Sequence, residues 1–356
     1  MIVREIPGKW TPSVEIDCGL AYEFLLSMMI WNDDRDQYPY EIGNEWFEAS
    51  HAKVSPALLK AIERLGNCSD RGWINLLGLA YECVPPKDVP TFIEHVRATD
   101  ALELRLHMIG YYQRRTRRIT PLDVILQAAE GDSEAQRQFL QTSFREDADW
   151  QEKLRSIFSI DPETMKSTFL DVFSGWYEQV FCEMETYVLP ILQRDAASKQ
   201  ALKATMPLER LIETATNGLE YVPEPGLRRI LLIPSFIERP WNNFAEYQDM
   251  KIFCYPVADE SVAKDSAIPP VRLVRIYKAL ADERRLRILK MLMTRSYSLQ
   301  EIADEFGVAK TTMHHHLATL RTAGLVLARP DENRYSLRHN MLSEVGELLN
   351  AYLKGR

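Results

Sequence analysis

Residues 279–292, Ala-Leu-Ala-Asp-Glu-Arg-Arg-Leu-Arg-Ile-Leu-Lys-Met-Leu, open the stretch that decides the fold of the C-terminal end. Ser298-Leu299-Gln300-Glu301-Ile302-Ala303 follows, then Gly307-Val308-Ala309-Lys310-Thr311-Thr312-Met313-His314-His315-His316-Leu317, then Leu320-Arg321-Thr322-Ala323-Gly324-Leu325-Val326. Asp282 is placed to cap a helix whose apolar face is Leu286, Ile288, Leu289 and Leu292. Ser298 and Glu301 form a capping box, each positioned to bond the other's amide. Ile302, Ala303 and Phe306 then make the buried side of a short helix, and Gly307 permits the sharp turn after it. In the next helix Met313, Leu317 and Leu320 recur at i, i+4 and i+7, so one stripe faces a core. Gly324 ends that helix. Leu325 to Arg329 and Asn333 to Arg338 read as two strands joined by Pro330-Asp331-Glu332.

Helix, helix, tight turn, helix and hairpin in that order make a winged helix-turn-helix, in which one helix enters the DNA major groove. Residues 271–340 closely resemble the ArsR family of bacterial and archaeal regulators. The pattern around Ala279–Leu289 and the His-His-Leu followed by Leu-Arg-x-Ala-Gly-Leu-Val carry the resemblance. It implies that the helix starting near Ala309 is the recognition helix. It also implies a homodimer built by helices near Leu273–Ala281 and Met341–Leu353, and repression relieved by a metal or another signal. Two departures argue against a metal. Where metal-sensing members often carry Cys-x-Cys, this chain has Tyr297-Ser298-Leu299-Gln300-Glu301, and no cysteine follows Cys254. For the family's second site, on the last helix, only His339, Glu344 and Glu347 are on offer.

The face opposite the apolar stripe carries Lys310, Thr311, His314, His315 and Arg321, with Thr312 beside them. Lys310, Thr311, Thr312, His314 and His315 are expected to reach base edges or nearby phosphates of double-stranded DNA. Arg321 on the helix, Arg329 and Arg334 on the wing, and Asn333 at the wing turn complete the predicted DNA-binding set, with Arg338 further along the hairpin. Consecutive helical residues point about 100° apart, so His314-His315-His316 do not converge on one ion; two rings face outward and one packs on a neighbouring helix. Histidine titrates near pH ~6.5, so affinity should rise as pH falls toward ~6 if His314 and His315 face phosphates.

Charge divides the chain the same way. The 356 residues carry 43 Lys+Arg and 51 Asp+Glu, a net of −8. From Val271 to Arg356 there are 15 basic and 9 acidic residues, a net of +6, which leaves 28 against 42, a net of −14, for the remainder. A basic module on an acidic body fits one DNA-facing surface. The five cysteines, Cys18, Cys68, Cys83, Cys182 and Cys254, show no metal spacing and are expected as reduced thiols. Met1-Ile2-Val3-Arg4-Glu5-Ile6-Pro7 has no apolar core of a signal peptide, and no apolar run approaches the ~18 residues of a membrane span. A cytoplasmic protein needing no cofactor is expected. Nucleophile-elbow, phosphate-loop, dinucleotide and His-Glu-x-x-His motifs are all missing, so no enzyme is expected.

The predicted class is mainly α: a helical N-terminal body (1–258) with a small antiparallel β-ribbon, a linker (259–270) closing on Pro269-Pro270, and the winged module (271–356). Helical periods cover Cys18–Ile30, Ser55–Leu65, Val89–Arg97, Ala101–Tyr112, Pro121–Ala129 and Ser133–Phe144. A further helix starts at Asp161-Pro162-Glu163 and runs from Met165 to about Leu189, where Pro190 ends or kinks it. Leu227–Pro234 and Met250–Pro256 read as the two strands of the ribbon, which must pack on helices or pair with another strand. Arg114-Arg115-Thr116-Arg117-Arg118 reads as a solvated helix end, as a site for a phosphorylated or carboxylate effector, or as a contact to a DNA backbone. Tyr111, Tyr112, Trp176, Tyr177, Trp241 and Phe244 read as plain core or as the lining of a small-molecule pocket. The functional expectation is a homodimeric ArsR-type repressor that binds an inverted-repeat operator and answers to a non-metal effector through its body. The alternative is a DNA-tethered module whose body docks a partner protein.

Overall fold

The computed structural model describes residues 12–33, 40–65, 71–262, 269–329, 334–338 and 341–354. The chain forms two compact units. The first comprises Met1–Pro190, Pro223–Glu238 and Asn243–Cys254; the second comprises Ile191–Val222, Arg239–Asn242 and Tyr255–Arg356. Among the described residues no helix is long and apolar enough to cross a membrane.

The first unit is built around the helix Leu20–Ile30, every residue of which is buried. A helix buried on every side must be enclosed by other elements. Phe24 meets Phe173 and Phe181 edge-on, with ring centroids 5.7 and 5.5 Å apart, and Trp73 lies 5.3 and 5.4 Å from Phe169 and Phe173. The polar Ser27 is tolerated inside because its hydroxyl donates to the Phe24 carbonyl at 2.7 Å and accepts from the Trp176 indole at 2.9 Å. Helices Pro56–Arg64, Val89–Ala98, Ala101–Met108, Leu122–Glu130 and Ser133–Ser143 form where the periodicity predicts them. Asn44–Lys53 and Ala148–Ser159 are additional helices.

Two expectations are corrected. The helix Pro162–Trp176 starts as predicted, with the Asp161 carboxylate accepting from the Thr164 amide at 2.9 Å. Its run breaks well before Pro190, at a π turn over Tyr177–Phe181 and a 3-10 turn over Cys182–Met184. These turns re-phase the buried face, so that Trp176, Val180, Phe181 and Met184 all point inward. The next helix, Glu185–Lys203, then carries Pro190 inside it, and the boundary between the units falls there. The ribbon is also larger than predicted. β1 (Ser13–Ile16) pairs in parallel with β2 (Arg229–Ser235), and β3 (Asn243–Tyr247) forms a hairpin with β4 (Met250–Pro256), giving the order β1-β2-β4-β3. The added strand β1 and the helices give the marginal ribbon the support it requires.

The second unit contains the winged helix-turn-helix: helices Val271–Leu280, Glu283–Leu292, Leu299–Phe306, Lys310–Thr322 and Met341–Leu353, with β5 (Tyr297–Ser298), β6 (Val326–Arg329) and β7 (Arg334–Leu337) in the order β5-β7-β6. Ile276, Ile288, Leu292, Ile302, Met313, Leu317, Leu320, Val326 and Leu337 form one core. This unit extends beyond the predicted module. The helix Leu208–Ala215 leads into Asn217 (φ 56°) and Gly218 (φ 116°), after which Leu219 bridges Ala328 in parallel. The Ala328 amide donates to Gly218 and the Glu220 amide to Ala328, both at 3.2 Å, so residues 218–220 cover the outer edge of β6. Within the predicted linker, Asp259–Val262 is a short helix held by the Ser261 hydroxyl, which donates to Asp195 at 3.0 Å. Residues 263–268, the wing turn 330–333 with Asn333, and His339 lie outside the described residues.

Candidate nucleic-acid interface

The turn of the helix-turn-helix is fixed by local chemistry. The Asp282 carboxylate accepts from the Arg285 amide at 3.0 Å and starts the helix Glu283–Leu292. Ser298 Oγ accepts from the Glu301 amide at 3.2 Å while Glu301 accepts from the Ser298 amide at 2.7 Å, so the predicted capping box is present. The bond from Ser298 and the nearby Arg295 guanidinium hold the Glu301 carboxyl down at a pKa of about 2. Gly307, at φ 61°, makes the left-handed step before the next helix.

That next helix, Lys310–Thr322, has no such cap. Ala309 precedes it in extended backbone and offers no side-chain acceptor. Its first-turn amides are left for an outside acceptor, where the helix dipole also favours an anion. Met313, Leu317 and Leu320 are buried, as their spacing requires, while Ala309, Lys310, Thr311, Thr312 and His315 are exposed. Lysine, two hydroxyls and an imidazole at an open helix N-terminus supply donors for phosphates and mixed donor-acceptor groups for base edges.

The three histidines separate. His315 is exposed; His314 and His316 are half-buried. Burial, followed by the charges of Arg321 and His315, pushes His314 below the ordinary imidazole range. The expected gain in affinity toward pH ~6 is therefore shifted lower for His314. Burial also lowers His316, while the charge of Asp282, the cap of the adjacent helix, opposes the shift.

Two of the arginines predicted to hold phosphates, Arg321 and Arg334, are engaged within the unit. Arg321 lies with its guanidinium 5.3 Å from the centre of the Trp241 ring. Arg334 donates to the Ser296 carbonyl at 2.7 Å and pairs with Glu301 at 3.2 Å, tying the wing to the capping box. Arg338 is buried, pairs with Glu213 at 2.9 Å and donates to Asn217 at 3.2 Å. Arg329 lies on β6 opposite Arg334. Lys310, Thr311, Thr312 and His315 thus share one exposed helix end, while Arg321, Arg334 and Arg338 are held by partners within the unit. The contributions of Glu213, Asn217 and Trp241 carry no local sequence signal, since each lies roughly 80 residues or more upstream of its partner. Among the described residues, no three His, Cys, Asp or Glu side chains gather as a metal site would require.

The order of elements, the exposed helix and the three-stranded wing define a winged helix-turn-helix of the DNA-binding class. The model for "Bacterial regulatory protein, arsR family" matches residues 282–327. The chain is 33% identical over 97 residues to "Transcriptional activator HlyU" of Vibrio cholerae, a match covering 27% of this chain and 86% of that protein. It is 41% identical over 59 residues to "Uncharacterized HTH-type transcriptional regulator YceK" of Bacillus subtilis, covering 16% of this chain and 59% of that one. With "HTH-type transcriptional regulator KmtR" of Mycobacterium tuberculosis it shares 37% identity over 59 residues, 17% of this chain and 45% of that protein. No solved structure matches. The chain belongs to the ArsR family of transcriptional regulators.

Proposed function

We propose that the protein is a homodimeric repressor that reads an inverted-repeat operator in double-stranded DNA through the Lys310–Thr322 helices of two copies, and that its first unit senses a small non-metal effector. The uncapped, exposed N-terminal turn of that helix carries the reading, because the two helices before it, Glu283–Leu292 and Leu299–Phe306, are each closed by their own cap. Dimerisation is supported by Val271, Val274 and Tyr277, which sit at i, i+3 and i+6 of one helix and remain 50, 38 and 41% exposed. A two-fold dimer sets its recognition helices about 34 Å apart and calls for a near-palindromic site. Effector binding changes that spacing and releases the operator.

The test is selection of genomic fragments by the full-length protein at about 150 mM salt, followed by sequencing. Enrichment of one inverted repeat supports the operator reading, and a reporter placed behind that repeat gives the sign of regulation. Retention of all fragments without preference would make the second unit a generic anchor, and partner docking by the first unit would then replace sensing.

A further inference from the structure

The basic run of the first unit is not used uniformly. Arg114 and Arg118 both donate to the Pro225 carbonyl, at 2.6 and 2.9 Å, and Arg114 also pairs with Glu224 at 3.5 Å. Arg117 lies 5.8 Å from the centre of the Tyr111 ring. Arg115 is exposed and lines a cavity of about 460 Å³. That volume is in the range of small-molecule sites. The cavity lies among the turn 109–113, the helix Arg114–Ile119, the end of the helix Ser133–Ser143 and the start of the helix Ala148–Ser159.

Its walls combine two chemistries. Ile109, Ile119, Phe144 and Trp150 supply apolar surface, with the Phe144 and Trp150 rings 6.2 Å apart and 30° from parallel. Opposite chemistry comes from Thr116, Thr142, Ser143 and the Gln113 amide. Gln113 is oriented by donating to Asn75 at 2.7 Å, and Asn75 is itself anchored on the Met108 carbonyl at 2.9 Å. Of the four charged residues in the lining, Asp147 is committed to capping the helix after it, accepting from the Trp150 amide at 3.1 Å. Arg115 and Arg145 have no ion-pair partner among the described residues, against the single uncommitted carboxylate of Glu146. Two free guanidinium forks beside flat aromatic surface recognise a planar anion: the forks match a carboxylate, and the rings pack on its body.

We infer that this cavity is the effector site and that its ligand is a small aromatic or similarly flat carboxylate. The inference rests on the proposal that the first unit senses an effector. The test uses full-length protein with benzoate, phenylacetate and indole-3-acetate as probes, and their amides as neutral counterparts. Thermal unfolding and tryptophan fluorescence are followed by titration. At least one carboxylate is expected to raise Tm saturably and to quench a signal that is missing in Trp150→Phe. Its amide should bind on the order of tenfold more weakly, the scale of a charge-assisted hydrogen bond. The double variant Arg115→Ala/Arg145→Ala changes only exposed side chains and should keep its unliganded Tm while losing the preference for carboxylate over amide. No saturable shift with any carboxylate, or an unchanged midpoint in the double variant, overturns the site. Operator affinity is read separately. Binding without operator release removes the effector role from this cavity, whereas release by a compound that binds the double variant equally well removes this site and leaves sensing by the first unit intact.

Discussion

Lys310 and Arg334 carry the same charge, yet their surroundings assign them different work. Lys310 is exposed at an open helix end, so Lys310→Ala should weaken operator binding and alter base preference, by about 1–3 kcal/mol if it reads a base edge. Competition binding against a library of single-base operator variants measures this, and an equal loss on all sequences would reduce Lys310 to a phosphate contact. Arg334 is bonded to Ser296 and Glu301, so Arg334→Ala should lower thermal stability by about 1 kcal/mol and leave the salt dependence of DNA binding unchanged. A slope reduced by about one would show that the side chain turns to a phosphate instead. His314 adds a pH prediction. Burial lowers its pKa, so it is neutral at pH ~7 and gains charge only below the ordinary imidazole range. Protonation favours phosphate, hence affinity should rise as pH falls through that lower window. His314→Gln should flatten the profile below pH ~6 and leave it unchanged between ~8 and ~6.5; a difference already present at pH ~7 would contradict the half-buried placement.

Among the elements, the capping box and the edge of the wing are the most testable. Ser298→Ala removes the hydroxyl that accepts from the Glu301 amide and should cost about 1 kcal/mol in denaturant unfolding. The Glu301 carboxyl, held at about 2, is depressed in the folded state, so its contribution is present above the ordinary carboxylate range. That contribution is lost as pH falls from about 4.5 to about 2, and the difference between Ser298→Ala and the parent should shrink across the same window. At the wing, Glu213→Ala leaves the buried guanidinium of Arg338 with only Asn217 among its two anchors. Breaking a buried pair from one side costs roughly 3 kcal/mol. Hydrogen exchange should locate the loss at the β6 and β7 amides, and full protection there would show that residues 213–220 do not hold the wing. Gly324 explains why this docking needs its glycine: φ is 69°, and a Cβ there would collide with Asn217.

For the molecule as a whole, assembly has a direct measurement. Val274 is 38% exposed on the helix Val271–Leu280, and Val274→Glu would bury a charge in any dimer formed through that face. The variant is expected to sediment as a monomer at micromolar concentration and to lose cooperative operator binding while keeping its fold by circular dichroism. A dimer that survives Val274→Glu must use another surface.

Local signals were enough for the winged module. Asp282, Ser298 with Glu301, Gly307 and the Met313-Leu317-Leu320 stripe each declare a cap, a turn or a buried face within one or two helical turns, because these are contacts between near neighbours in sequence. The same signals placed Lys310, Thr311, Thr312 and His315 on one exposed helix end. What tertiary structure alone decided was the use of side chains whose partners are remote. Strand β1 pairs more than 200 residues away, the four-residue pattern Ser-Val-Glu-Ile being too short to declare itself as a strand. Arg321, Arg334 and Arg338 look equally free in the sequence, yet Trp241, Ser296 with Glu301, and Glu213 claim them in the fold. A charge is counted by sequence, but its availability depends on which opposite charge or ring the chain brings within a few ångströms, and for these residues that partner is set by packing over long sequence separations.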